Sequence, residues 1–213
     1  MIVLFVYGGN EMPIIIFDAL DTIQGYKGAG PGASKRFYQE HLARKMEFPL
    51  ELFLKIFPYE AQCSILRYEI TNGNLEPVAL PGAKELLTSV ISQGITPIIV
   101  TADFPKTADL TTKPLQGLVS PDNIYAVASL GSKKESSCWK TVRERYFPSE
   151  KILGVFEDTP ENLSAAIAAY STIGYLVDEK TVGIDRTLHD TVKGGLAALR
   201  LELEQRLKDD GLR

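Results

Sequence analysis

Ile14, Ile15, Ile16 and Phe17 form an unbroken apolar run that ends on Asp18. In a strand with one wet face, apolar and polar residues alternate, because successive side chains point to opposite sides. A run that is apolar at every position therefore predicts a strand buried on both faces, as in a parallel sheet covered by helices. Parallel strands need long crossovers, so this segment constrains the remaining chain to alternate strands with helices. Ligands of such sheets sit beyond the carboxyl ends of the strands, where Asp18 emerges. Asp21 and Thr22 follow within four positions.

The expected alternation is present. Strands are predicted at Ile14–Asp18, Thr96–Thr101, Ile124–Leu130, Lys151–Glu157 and Thr172–Val177, with helices at Gly82–Gln93, Lys134–Tyr146, Pro160–Tyr170 and an amphipathic stretch at Asp190–Lys208. Pro81-Gly82 and Gly94 bracket the first of these helices as start and stop marks. This pattern is read as an α/β, Rossmann-like parallel sheet with helices on both faces, wound right-handedly. One interval breaks it. About sixty residues separate Thr22 from Pro81, far beyond an ordinary strand-to-helix connection. They contain no evident strand, and apolar residues recur at helical spacing in Ser34–Met46, Pro49–Phe57 and Tyr59–Thr71. A small helical cap inserted after the first core strand accounts for this: residues 1–24 and 77–213 form the core, and 25–76 the cap.

Composition limits the function. The net charge of −4 and pI near 5.3 come with no basic stripe, which argues against nucleic-acid binding. The apolar start, Met1–Gly9, is too short to span a bilayer and lacks the basic flank of a secretory signal. It reads as an extra edge strand, or as an extension preceding a start at Met12. Cys63 and Cys138 lie far apart without CxxC spacing, which suits thiols in a reducing, cytoplasmic compartment.

Polar groups close the other strands as well. Thr101 ends the second, Lys133-Lys134 follow the third, and Glu157-Asp158-Thr159-Pro160-Glu161-Asn162 ends the fourth. Each has a plain structural alternative: a turn cap, a β-branched strand residue, a solvated helix start. Asp158-Thr159-Pro160-Glu161 also reads as a helix N-terminus, with proline in the first turn and acids favoured by the dipole. Their appearance in order, each at a strand's carboxyl end, is harder to explain structurally. Together they supply what transfer of a group from an anionic substrate to an enzyme carboxylate requires.

In this set the chain resembles the haloacid dehalogenase (HAD) superfamily of hydrolases. Asp18-Ala19-Leu20-Asp21-Thr22 is similar to the family's Asp-x-Asp-x-Thr. Thr101 matches the hydroxyl closing the next strand, Lys133 or Lys134 the lysine, and Glu157-Asp158 with Asn162 the acidic fourth motif. Leu80-Pro81-Gly82-Ala83 and 158–168 also look like family sequence, and the insertion matches the helical cap of C1 members. The resemblance covers about residues 13–180.

It implies a HAD-like fold and Mg²⁺-dependent hydrolysis of a small phosphorylated substrate. Asp18 would be the nucleophile, forming an aspartyl intermediate. Asp18 and Asp158 would hold Mg²⁺, with Glu157 or Asn162 helping. Thr101 would bind a phosphoryl oxygen, and Lys133 or Lys134 would neutralise its charge. Thr22, Asp21 and Lys134 are the remaining substrate-side candidates.

The chain departs from the family at Leu20, where phosphatases carry the acid that protonates the leaving oxygen. Three readings follow: a phosphatase with rearranged acid/base groups, such as Asp21 or a cap residue; a dehalogenase or phosphonatase, which also lacks that acid; and a non-catalytic or weakly active binding protein. The other candidates read as structural: His41 and His189, the cap arginines Arg36, Arg44 and Arg67, Trp139 as a packing residue, and Gly8-Gly9.

Overall fold

A computed structural model describes residues 12–30, 32–177 and 195–209. The core strands are β1 (Pro13–Phe17), β4 (Thr96–Thr101), β5 (Ile124–Ala126), β6 (Lys151–Glu157) and β7 (Gly174–Leu176). They form one sheet in the order β5-β4-β1-β6-β7, every pair parallel. The apolar run Ile14–Phe17 thus occupies the central strand, as its composition predicts. Its alternate residues divide the core. Ile15 and Phe17 face a cluster that includes Leu86, Leu87 and Val90 of α4 (Ala83–Ser92) with Leu199, Leu203 and Leu207 of α8 (Gly195–Asp209). Ile14 and Ile16 face Trp139 and Val142 of α6 (Ser136–Tyr146) with Leu163 and Ala166 of α7 (Pro160–Tyr170). Ile14, Ile15, Ile16 and Phe17 are each 1% exposed or less, which at ~1.5–3 kcal/mol per buried large side chain makes this strand the anchor of both layers.

Between β1 and α4 lie three helices, α1 (Ser34–Lys45), α2 (Leu50–Ile56) and α3 (Tyr59–Thr71). They enclose a separate apolar cluster of Tyr26, Tyr38, Leu42, Phe53, Leu66 and Leu75. The interval also holds two short strands that the sequence did not disclose. β2 (Gln24–Tyr26) and β3 (Pro77–Ala79) pair antiparallel as a ribbon at the two crossings between core and helical insertion. Three residues each, containing glycine or proline, carry no period-2 signal. Other boundaries differ modestly. The strand expected over Ile124–Leu130 stops at Ala126 and continues into a 3₁₀ turn, Ala128–Leu130. A further helix, α5 (Pro105–Thr111), follows β4 behind its N-terminal proline.

The expected edge strand at 1–9, the glycine pair Gly8-Gly9 and His189 lie outside the described residues. No helix among the described residues is long and apolar enough to cross a membrane.

Register places the polar strand ends together. Phe17 pairs with Ile99 of β4 on one side and Phe156 of β6 on the other. Asp18, Thr101 and Glu157-Asp158 therefore leave the sheet along one edge, and Asp18 is fixed there by its own N–H, which donates to the Phe156 carbonyl at 2.8 Å. Close packing around β6 rests on one glycine. A Cβ at Gly154 would lie 2.9 Å from Cε2 of Tyr175, a buried ring stacked on Phe156 at 4.4 Å. Gly154→Ala is expected to cost about 1–3 kcal/mol through this overlap, measurable as a lowered urea midpoint with an unchanged m-value.

Candidate active site

The residues after β1 form a tight coil. The N–H groups of Ile23 and Gln24 both donate to the Ala19 carbonyl, at 3.0 and 2.9 Å. To close the coil Asp21 takes φ of 62°, a left-handed conformation that aspartate tolerates better than most residues. The coil brings Thr22 back toward Asp18, with Thr22 Oγ1 donating to Asp18 Oδ2 at 3.5 Å. It also turns Asp21 away. Asp21 Oδ1 accepts from the Ser34 N–H at 2.8 Å and Oδ2 from the Lys35 N–H at 3.2 Å. Both oxygens thus satisfy orphan amides at the start of α1, the position where a carboxylate also meets the positive end of the helix dipole. This corrects the expectation that Asp21 serves the substrate or replaces the missing acid: its carboxylate anchors the cap helix. Leu20 packs against the insertion's apolar cluster.

Lys133 and Lys134 separate clearly. Lys133 is 4% exposed; its ammonium lies 2.5 Å from Asp18 Oδ1 and 2.5 Å from Glu157 Oε1, and donates to the Val100 carbonyl at 3.1 Å. Trp139 holds both ends of this lysine. Its indole N–H donates to the Lys133 carbonyl at 2.7 Å, and its ring centroid lies 5.0 Å from Nζ, a cation–π distance. Trp139 is therefore more than the packing residue expected. Lys134 is exposed, and its backbone N–H donates to Ser132 Oγ at 3.3 Å; of the two lysines, Lys133 is the one joined to Asp18.

Carboxylate oxygens of Asp18, Glu157 and Asp158 all lie within 4.8 Å of one another, a set able to hold a cation. Their roles are unequal. Glu157 is fully buried; besides Lys133, its Oε1 accepts from Asn162 Nδ2 at 2.9 Å and its Oε2 from the Thr159 N–H at 3.1 Å. Asn162 thus spends its amide on Glu157. Burial works against the Glu157 charge, but Lys133 outweighs it and holds the carboxyl below its usual range. The same burial opposes the lysine charge, yet Asp18 and Glu157 keep the ammonium well above its ordinary value. Asp18 is pushed up to about 7 by burial and then by Glu157, against the pull of Lys133. Asp158 is pushed up to about 9, by burial first and then by Asp18 and Glu157. One lysine does not balance three carboxylates.

Thr101, 3% exposed, donates to Asp103 Oδ2 at 3.3 Å. Asp103 was not anticipated, although an acid two residues past a strand end was visible in the sequence. Its Oδ1 accepts from the hydroxyl of Tyr59, the first residue of α3, at 2.8 Å. Its Oδ2 also receives Thr111 Oγ1 at 3.4 Å. A second tie lies alongside: Arg67 Nη1 donates to Thr107 Oγ1 at 3.0 Å. The insertion thus meets the core next to Thr101. His41 pairs instead with Glu69 inside the insertion, at 2.6 Å, and Arg36 with Glu40 on its exposed surface.

Two substitutions check these assignments. Lys133→Met leaves Asp18 and Glu157 uncompensated and is expected to cost about 3–5 kcal/mol near neutral pH. The loss shrinks in mild acid, where Asp18 protonates; urea unfolding at both pH values measures it. Asp21→Ala removes the acceptor for two helix amides and is expected to cost about 0.5–2 kcal/mol in the same assay.

No family model and no curated protein matches the sequence. Solved structures do match. A hydrolase from Pseudomonas syringae superposes with a TM-score of 0.63 at 17% identity, covering 91% of this chain and 98% of that one. An L-2-haloacid dehalogenase gives 0.59 at 14%, covering 92% and 100%. A HAD family hydrolase from Deinococcus radiodurans, solved with bound phosphate and sodium, gives 0.56 at 17%, covering 96% and 98%. At these identities the likeness is one of fold, and the fold of this chain is that of the haloacid dehalogenase-like hydrolases.

Proposed function

We propose that this chain is a Mg²⁺-dependent phosphatase-type hydrolase of a small phosphorylated substrate, acting through an aspartyl intermediate on Asp18. The observation that carries the reading is the charge imbalance at the sheet edge. Three carboxylates converge within 4.8 Å, and the lysine among them already bridges two. A divalent cation supplies the missing charge, and Asp18 and Asp158 have the oxygen-donor chemistry it prefers. Glu157, saturated by Lys133, Asn162 and the Thr159 amide, is better suited to positioning the lysine. When bound, the cation offsets repulsion between the phosphoryl group and the carboxylates.

The chain's own residues then divide the work. Asp18 attacks phosphorus, and the leaving oxygen departs with the phosphorus–oxygen bond electrons. Lys133 holds one Asp18 oxygen, so the other is aimed at the substrate, and its charge stabilises the crowded transition state. Thr22 steadies the same carboxylate. Thr101 Oγ1, on substrate binding, turns from Asp103 to a phosphoryl oxygen. Water then attacks the aspartyl-phosphate and releases inorganic phosphate. The neighbour solved with bound phosphate supports this class of ligand. Two buried, unpaired thiols, Cys63 and Cys138, suit a reducing cytoplasm.

Leu20 favours a second reading, haloacid dehalogenation, since a halide leaves without protonation, and a dehalogenase is among the structural neighbours. The acidic edge counts against it, because a metal-free haloacid would bring one more carboxylate to three.

Phosphate release from a phosphate-ester panel is expected to require added Mg²⁺ and to be abolished by Asp18→Asn. Halide release from haloacids, indifferent to chelator, would establish the dehalogenase instead, and a folded protein inert to both panels would leave a binding role. The metal has a readout independent of turnover. Asp18 and Asp158, with pKa values raised to about 7 and about 9 from 3.8, retain protons in the folded chain that the unfolded chain has already lost. Metal-free stability therefore falls as pH rises from about 4 toward about 9. Mg²⁺ displaces those protons, so it is expected to raise Tm more near pH 8 than near pH 5.5.

A further inference from the structure

Leu20 leaves a chemical gap. If Asp18 takes a phosphoryl group, the leaving oxygen still needs a proton, and the water that follows must lose one. An alkyl side chain does neither, and Asp21 has spent both oxygens on α1. Glu135 and Glu161 also lie near the strand ends but are exposed; Asp103 is a partly buried carboxyl there outside both the cation set and the helix cap. Asp103 stands two residues beyond Thr101, in contact with its hydroxyl at 3.3 Å. A short chain of contacts links Thr101 to the nucleophile: Lys133 Nζ touches both Asp18 Oδ1 and the carbonyl of Val100, the residue before Thr101.

We propose that Asp103, oriented by Tyr59 of the cap, protonates the leaving oxygen and then accepts the proton of the attacking water. The inference rests on the phosphatase reading above. The balance is straightforward. In the first half-reaction Asp18 forms a bond to phosphorus, the bond to the leaving oxygen breaks, and the Asp103 proton passes to that oxygen. In the second, water adds to phosphorus, its proton returns to Asp103, and the bond to Asp18 breaks.

Three features support Asp103. Its carboxyl is held by hydrogen bonds from Tyr59, Thr101 and Thr111, and burial raises it above the ordinary aspartate value, the direction a proton donor needs. Asp103 Oδ2 already touches the Thr101 hydroxyl at 3.3 Å, so when Thr101 turns to a phosphoryl oxygen the carboxyl is released next to that hydroxyl. Tyr59 lies on α3 and Asp103 on the core, with the Tyr59 ring 6.0 Å from that of Phe104. The acid is therefore aligned only when the insertion is seated on the core. Tyr59 is a positioning residue in this scheme.

Two esters of different leaving ability test the proposal. A p-nitrophenolate leaves without a proton; the glycerol oxygen of glycerol phosphate does not. With Mg²⁺ present, Asp103→Asn is expected to lower steady-state turnover of glycerol phosphate by ~10²- to 10⁴-fold. On p-nitrophenyl phosphate the same variant gives a rapid stoichiometric burst of p-nitrophenolate followed by slow turnover, because only the water step is impaired. Tyr59→Phe shows the same ester dependence more weakly, with KM unchanged. Retention of glycerol phosphate turnover by Asp103→Asn overturns the proposal and leaves the phosphatase reading intact. So does an equal loss on both esters without a burst, which marks a structural role. Wild-type protein inert to both esters overturns the two together.

Discussion

Asp18 and Glu157 sit at the ends of adjacent parallel strands, buried, and share one ammonium. In a low-dielectric interior two such carboxylates repel strongly, and neither tolerates burial alone. Lys133 makes the arrangement possible, and its own burial is tolerable only because both carboxylates meet it. The remaining details of the site follow from this triad. Trp139 closes over the lysine, Tyr170 donates its hydroxyl to the Trp139 carbonyl at 2.8 Å, and Asn162 and the Thr159 amide complete Glu157. A continuous path of contacts thus runs from Asp18 into the helical layer behind the sheet. Asp158 lies beside the triad, where burial, Asp18 and Glu157 push its carboxyl up to about 9.

The architecture was largely legible in the sequence because its signals are local. The fully apolar run at Ile14–Phe17 requires two covered faces, and Thr96–Thr101 and Lys151–Glu157 repeat the requirement. The strand-end positions of Asp18, Thr101 and Glu157-Asp158 follow from those runs alone. The helical insertion was visible as length without strand pattern.

The parts that were not legible depend on contacts between distant residues. The choice between Lys133 and Lys134 is decided by Asp18, 115 residues away. The role of Asp21 depends on amides thirteen and fourteen residues further on, so its place in the motif made it look like a catalytic group. Asp103 carried a weak signal in being next to a strand end, but its partner Tyr59 is 44 residues distant and nothing local marks it. The β2–β3 ribbon is too short to have a period. In each case the residue type was readable and the partner was not.

The Asp21 contact has a consequence for how such a protein can diversify. One five-residue coil carries Asp18 at its start, an apolar residue seated in the insertion in its middle, and the anchor of that insertion's first helix beside it. The strand-end carboxylate and the anchorage of the insertion are therefore written in the same few codons. Gly25, whose missing Cβ leaves room for Ser34 Oγ and Leu80, extends this linkage one turn further. A lineage reshaping the insertion through this segment would disturb Asp18 at the same time. The face of α3 that bears Tyr59 and Arg67 meets the core at a second seam, through the Tyr59–Asp103 and Arg67–Thr107 hydrogen bonds, so a change there leaves the Asp18–Thr22 coil itself untouched.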